Sequence, residues 1–510
     1  MSLQFIFGNS GAGKSQYLYH YIIKESMEHP KTNYLVIVPE QFTMQTQKDL
    51  CMAHPRHGIM NIDVLSFARL SHRIFEETGR GTKMILDDEG KNLIIRKIAG
   101  QYEDDLKVLK GNLKKQGYIS EVKSVISEFT QYGIGFDELD GFLETLDSEC
   151  YLSYKLQDIR KVYEGFESYL ADRYITKEEL LDVLSEAVPE SQILKDSVVV
   201  LDGFTGFTPV QNRLLGELMK VCSKVLLTVE MDQREDPFSY QHPYQLFAMS
   251  KQMVTSLVKI AGENRVTVDN SIFLYEKPVA RFRKNPMMGF LEEELFRYSG
   301  NKYERNDAKE EQSISIHVTK TPREEAEFVA ASIRKIVREK NYRYRDIGVI
   351  VSDMNTYADY LEKQCADYEI PIFMDHKKSI LLNAYVEYVR SLLTMIEQNF
   401  SYPSVFRFLR TGMSGFTREE VDRLENYVIA LGIRGYKKWQ SVWVRRTAEV
   451  GEESLAQLNH LRVQFVEKID GLVTILKKRS KTVKDVTLAV YDFLCQEKLQ
   501  EKIELSLIHI

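Results

Sequence analysis

A chain of 510 residues with a net charge of −6 has room for about three domains, and its overall charge offers no general attraction to nucleic acid. With 44% hydrophobic and 28% charged residues it falls among ordinary globular proteins, outside the disordered and membrane classes. Its five cysteines (Cys51, Cys150, Cys222, Cys365 and Cys495) are far apart and form no CxxC pair. That argues against a disulfide framework or a zinc site and fits a reducing compartment. No basic segment precedes a long apolar stretch at the N-terminus, and no apolar run approaches the ~18 residues that span a bilayer. A cytoplasmic protein with no membrane partner is expected.

Residues 3–7 are a short apolar run, the pattern of a strand buried on both faces, and they lead into a glycine-rich turn. Leu18, Tyr21 and Ile22 then recur at helical spacing, and residues 34–38 (YLVIV) form a second buried strand that Pro39 ends. Strand, loop, helix, strand is a parallel βαβ unit. Residues 62–65 start a third strand-like run, followed by a helix over 66–77. From 87 to 195 the period is helical almost throughout, which marks an insertion. The parallel pattern resumes with 198–201, a helix near 211–221 and a strand over 224–229, so the sheet is assembled from discontinuous segments. Residues 235–312 read as irregular. A second α/β region follows, with strands over 313–318, 346–351 and 370–374 and helices over 323–338 and 357–368. Beyond Tyr385 the pattern is all helix.

Gly8, Gly13, Lys14 and Ser15 fit the spacing G-x-x-x-x-G-K-[ST], with a buried strand before it and a helix after it. In such a loop, with Asn9, Ser10, Gly11 and Ala12 as its small residues, backbone N–H groups curl inward onto phosphate oxygens and the positive helix end adds to the field. Lys14 is placed to reach the β- and γ-phosphates of ATP, and the Ser15 hydroxyl to ligate Mg²⁺. The plain alternative is a glycine-rich turn that binds nothing. Asp202 ends an apolar run, where phosphate-loop proteins place the carboxylate that holds Mg²⁺. Its alternative is a strand-end aspartate capping a turn. The next residue, Gly203, stands where DNA-translocating ATPases carry a glutamate to orient the attacking water. Unless another carboxylate substitutes, ATP is expected to be bound and hydrolysed slowly or not at all.

GNSGAGKS at 8–15, VPEQFTMQTQ at 38–47, VLSFARL at 64–70 and LDGFTGFTPVQ at 201–211 closely resemble the AddB family, one half of the bacterial AddAB helicase-nuclease. More distantly, the pattern is similar to superfamily 1 helicases of the UvrD, PcrA and RecB kind. The resemblance implies an α/β fold of P-loop NTPase type with tandem helicase-like motor domains carrying helical insertions. The implied divisions are a first motor domain at 1–80 and 196–240, an insertion at 81–195 and a connector at 241–310. The second motor domain would begin at 311–412, and a second insertion at 413–510 would be cut short. It further implies an AddA-type motor subunit as heterodimer partner, DNA ends as substrate, and recognition of the Chi regulatory sequence. A nuclease domain with an iron–sulfur cluster lies later in that family, and this chain is expected to be an N-terminal fragment that ends in LSLIHI at 505–510 without it. Departures from an active motor extend past Gly203. Ser352 or Asp353 stands where an arginine would face the γ-phosphate, and TVEMDQ at 228–233 lacks a glycine-aspartate pair, although Gln233 keeps a nucleotide-sensing amide.

By the same resemblance Gln41, Phe42, Ser66 and Phe67 follow strand ends where loops face DNA, with polar groups for phosphates and rings for bases. Phe67 also fits a core position. The basic segment 436–446 carries Trp439 and Trp443 at i, i+4, which places both on one helix face and fits packing as well as stacking. The densest basic stretch, 334–345, is by default a solvated face. Two readings compete with a helicase-like subunit: a P-loop small-molecule kinase, and a non-hydrolysing DNA-binding scaffold.

Overall fold

Strands buried on both faces need apolar side chains at successive positions, and helices must then cover each face. In the first half of the chain that requirement is met by β1 (Ser2–Gly8), α1 (Lys14–Glu28), β2 (Tyr34–Ile37), α2 (Thr43–Ala53), β3 (Ile62–Leu65) and α3 (Phe67–Thr78). The computed structural model describes residues 1–80, 84–113, 115–171, 173–304, 313–375, 380–447, 450–498 and 501. LSLIHI lies outside them. The chain divides into two units, Met1–Ile316 and His317–Ile510.

Within the first unit, β4 (Met84–Leu86), α4 (Asp88–Gln101), α5 (Gln116–Tyr132), α6 (Phe136–Thr145), α7 (Tyr151–Leu170), β5 (Tyr174–Thr176) and α8 (Leu180–Ala187) make the insertion. Its helices close over a core of their own that includes Ile95, Ile126, Val162 and Phe166. The main sheet resumes with β6 (Val198–Leu201), α9 (Pro209–Val221) and β7 (Lys224–Glu230). Thr208 caps α9 by accepting from the Gln211 amide at 3.3 Å, and Pro209 occupies a first-turn position where its missing N–H costs nothing. Next come α10 (Ala248–Glu263), β8 (Thr267–Val268), β9 (Ile272–Leu274) and α11 (Pro286–Glu294). The described part of the segment expected to be irregular, 235–304, is therefore not so: β8 and β9 pair in parallel with β1 along the edge that β7 leaves free, and 305–312 lie outside the described residues. Strands of two or three residues are too short to show a period.

Among the described residues the parallel sheet runs β3-β2-β6-β7-β1-β8, with β9 also on β1. Side chains alternate between two cores. Leu3, Phe5 and Phe7 of β1, Val199 and Leu201 of β6, and Val225, Leu227 and Val229 of β7 face α3, α8, α9 and α10. Ile6, Val200 and Leu226 face the opposite side, with Leu18 and Ile22 of α1. This alternation decides which strand-end residues meet α1.

In the second unit α12 (Pro322–Lys340) packs on α13 (Met354–Asp367), and α14 (Ala384–Glu397), α15 (Tyr402–Leu409), α16 (Arg418–Leu431), α17 (Tyr436–Gln440), α18 (Glu452–Leu476) and α19 (Val483–Gln496) follow. The three runs expected as strands, 313–318, 346–351 and 370–374, are not strands. A strand is held by a partner strand, which the described residues do not give these runs, and Ile316, Val318 and Ile350 stand 90%, 93% and 99% exposed. A second sheet is thus absent from this unit among the described residues. Trp439 and Trp443 also differ from expectation, because α17 ends at Gln440 and Trp443 lies beyond it. The Trp443 backbone N–H donates to Asn459 Oδ1 at 3.0 Å and its indole N–H to the Lys438 carbonyl at 3.0 Å. Both rings are buried and meet edge to face at 5.2 Å, so they are core residues. Asp353 caps α13 by accepting from the Asn355 amide at 3.0 Å. No described helix is long and apolar enough to cross a membrane.

Candidate nucleotide-binding site

β1 stops at Gly8 and α1 starts at Lys14, so residues 9–13 form a loop at the carboxyl end of the sheet, ahead of a helix N-terminus. Gly11 has φ +78°, and a Cβ there would sit 2.8 Å from Cβ of Arg281, whose N–H donates to the Gly11 carbonyl at 3.2 Å. Only glycine fits a left-handed turn pressed this closely by a second segment. The Lys14 ammonium donates to the carbonyls of Gly8 at 3.0 Å and Asn9 at 2.8 Å, curled over its own loop. Burial lowers the pKa of this ammonium, and the charges of Glu230, Asp202 and Glu292 oppose that.

Asp202, just past the end of β6, is 6% exposed, and hydroxyls converge on its carboxylate. Ser15 donates to Oδ1 at 3.1 Å, Tyr19 to Oδ2 at 2.9 Å, and Thr228 to Oδ1. Burial, reinforced by the Asp202 charge, pushes the Tyr19 phenol above its ordinary range. Lys14, Ser15, Asp202, Gly203, Glu230 and Arg281 share one cleft of about 750 Å³. A cleft of 1320 Å³ lies elsewhere, along α9, lined by residues of both signs such as Asp182, Arg213 and Glu217. It holds no phosphate-type loop with its lysine, so volume alone does not mark the chemistry.

The structure brings Gly8, Asn9, Ser10, Gly11, Ala12, Gly13, Lys14, Ser15 and Asp202 together as one group. Gln233 does not line the cleft of Lys14, Ser15 and Asp202 and meets the loop only on the side of Asn9. Gln233 is exposed and lines a smaller cavity with Asn9 and Asp232. Burial opposes ionisation of Asp232, yet Arg234 at 2.8 Å and Arg297 at 3.0 Å hold its carboxyl far below the usual range. Sequence reasoning missed Tyr19, Thr228, Glu230, Arg281 and Glu292. Thr228 and Glu230 continue the two-residue alternation from Leu226, a legible signal. Nothing local marks Arg281 or Glu292, which the fold carries to the loop from far along the chain. Glu292 accepts from the Asn9 amide at 3.3 Å and from the Ser10 N–H, and burial raises its pKa.

Among the described residues no group of three or more His, Cys, Asp or Glu side chains is arranged to hold a metal. Mg²⁺ keeps most of its waters and takes only one or two protein oxygens beside substrate phosphates, and the Ser15 and Asp202 oxygens 3.1 Å apart fit that demand. Of the four DNA candidates, Phe42 is 49% exposed and Gln41 is exposed. Ser66 is buried and caps α3 by accepting from the Arg69 amide at 3.3 Å, while Phe67 packs on Phe204 at 5.6 Å. These two hold the fold.

A parallel α/β sheet with this loop, lysine, serine and aspartate at its carboxyl end fits a helicase-like fold. Residues 5–292 match the family model described as ADDB, N-terminal, and residues 284–442 match the UvrD-like helicase C-terminal domain. The chain belongs to the AddB family. Its relatives carry the name of the B subunit of an ATP-dependent helicase/deoxyribonuclease. That of Lachnoclostridium phytofermentans is 40% identical over 99% of this chain and 44% of its own length. Those of Clostridium novyi and Acetivibrio thermocellus are 35% and 31% identical, over 99% of this chain and 43% and 44% of theirs. The chain spans less than half the length of these relatives.

Proposed function

We propose that this chain is the ATP-binding, helicase-like part of an AddB-type subunit in a bacterial helicase-nuclease that processes DNA double-strand-break ends for recombinational repair. It acts in the cytoplasm with an AddA-type motor subunit, contacts DNA including a Chi-type sequence, and is itself a weak motor. One observation carries the reading: Lys14 and the hydrogen-bonded pair Ser15–Asp202, separated by 187 positions in sequence, meet at a glycine-rich loop ahead of a helix N-terminus. The loop amides and Lys14 would hold the triphosphate tail. Ser15 and Asp202 would hold Mg²⁺, which neutralises charge developing on the phosphates. Family membership supports this reading over a small-molecule kinase. Gln41 and Phe42, exposed after β2, are the DNA contacts retained from the sequence.

Gly203 favours a second reading, a DNA-binding scaffold that holds ATP without cleaving it. Calorimetric titration with ATP, with and without Mg²⁺, tests the binding. Uptake that strengthens with the metal is expected, and no uptake under either condition removes the proposal.

A further inference from the structure

Gly203 cannot polarise water, so efficient turnover calls for a water-orienting group from elsewhere in the cleft. The sheet alternation names one. Leu226 of β7 and Val200 of β6 face α1. Two residues on, Thr228 and Asp202 share that face and touch through the Thr228 hydroxyl. Two more along β7 comes Glu230, on the same face and one step farther out from the sheet, in register with Gly8 of the phosphate loop. It lines the cleft that holds Lys14, Ser15 and Asp202, and its charge acts on Lys14 more strongly than that of Asp202 or Glu292. Among the described residues no hydrogen-bond donor engages its carboxylate.

The other acids near the loop are occupied or displaced. Asp49 lines the cleft but accepts from the Gln45 amide at 2.7 Å, and Glu292 is taken by Asn9. Glu40 lies just past Pro39, the residue nearest Gly203, but does not line the cleft. Gly203 itself has φ +79°, a left-handed turn that disfavours a glutamate at that position. Among the described acids of the cleft, the one left without a hydrogen-bond partner is on the neighbouring strand.

We propose that Glu230 is the catalytic carboxylate that orients the attacking water, replacing the glutamate absent at position 203. This rests on the ATP reading above. Water oxygen bonds to the γ-phosphorus, the bond to the β–γ bridging oxygen breaks, and ADP leaves with that electron pair. The water proton passes to the Glu230 carboxylate, and inorganic phosphate is released.

The test is single-turnover cleavage of ATP by the full chain with Mg²⁺ and a DNA duplex, run beside binding of a fluorescent ATP analogue. Glu230→Gln is expected to slow cleavage by roughly 100-fold or more, the usual scale for losing a general base. Analogue affinity should stay within about threefold of the parent, because the lost interaction belongs to the transition state. Glu230→Asp should recover part of the rate. Cleavage by Glu230→Gln at the parent rate overturns the assignment, as does a parent chain that binds the analogue yet leaves ATP intact. A parent chain that binds no analogue overturns the ATP reading itself, a different and earlier failure.

Discussion

Asp202 shows how a single residue depends on its neighbours: its carboxylate is buried, and hydroxyls from Ser15, Tyr19 and Thr228 fix its position. Removing the buried Thr228 donor with Thr228→Val should cost about 1–3 kcal/mol, the usual penalty when a buried acceptor loses a partner. It should also reduce the gain in ATP affinity that Mg²⁺ confers, measured by calorimetry. Lys14→Ala removes a charged donor to phosphate worth roughly 1.5–3 kcal/mol, so ATP affinity should fall by about ten- to a hundredfold. An unchanged affinity would place the nucleotide elsewhere. Phe42 and Phe67 separate stacking from packing. Phe42→Ala should weaken single-stranded DNA binding by about 1–3 kcal/mol with the melting temperature unchanged. Phe67→Ala should instead destabilise the fold by about 3–5 kcal/mol, since its ring is sealed against Phe204 and Phe207. Equal DNA effects from the two would refute this division. The loop and Asp202 were legible as residues because spacing alone specifies them, whereas Glu230 became visible only once Leu226 and Thr228 were seen to share its face.

At the scale of elements, the helical insertion carries one carboxyl whose pKa stands well above its ordinary value. Glu167 on α7 has its pKa pushed up to about 7 by burial and by the nearby Glu179 charge. A carboxyl whose folded pKa is raised favours the protonated form, so the folded state binds more protons than the unfolded one between about pH 4.5 and 7. Stability contributed by that group is present at low pH and is lost as pH rises through this window. Glu167→Gln, fixed in a neutral state, should raise the melting temperature at pH 8 and change it little at pH 4.5. A larger gain at the acid end would reverse the sign and discard the explanation. Elements were readable wherever length and period agreed, as for β1, β2, β6 and β7. They failed where a strand needs a partner. The runs at 313–318, 346–351 and 370–374 have the apolar content of strands, but local pattern cannot supply the hydrogen-bonding neighbour. The short β8 and β9 escaped notice for the opposite reason, since pairing with β1 makes them strands despite their length.

At the scale of the molecule, every proposed nucleotide contact belongs to the first unit, while both tryptophans lie in the second. Intrinsic tryptophan emission therefore follows the second unit alone. Phe465→Ala, which removes a ring 5.0 Å from Trp439, should lower that unit's stability by about 3–5 kcal/mol in denaturation followed by emission. Affinity for the ATP analogue should not change; a parallel loss would couple the two units and end the claim of separate cores. The sequence by itself determined the parallel α/β class, the phosphate-type loop, the aspartate partner and the helical insertion, because each depends on spacing along the chain. Tertiary structure decided which side chains surround that loop. Glu230 shares its strand face with Leu226 by local alternation, but only its register with Gly8 sets it beside the loop; Arg281 and Glu292 reach the loop by chain crossing, a relation between distant segments that no local pattern encodes.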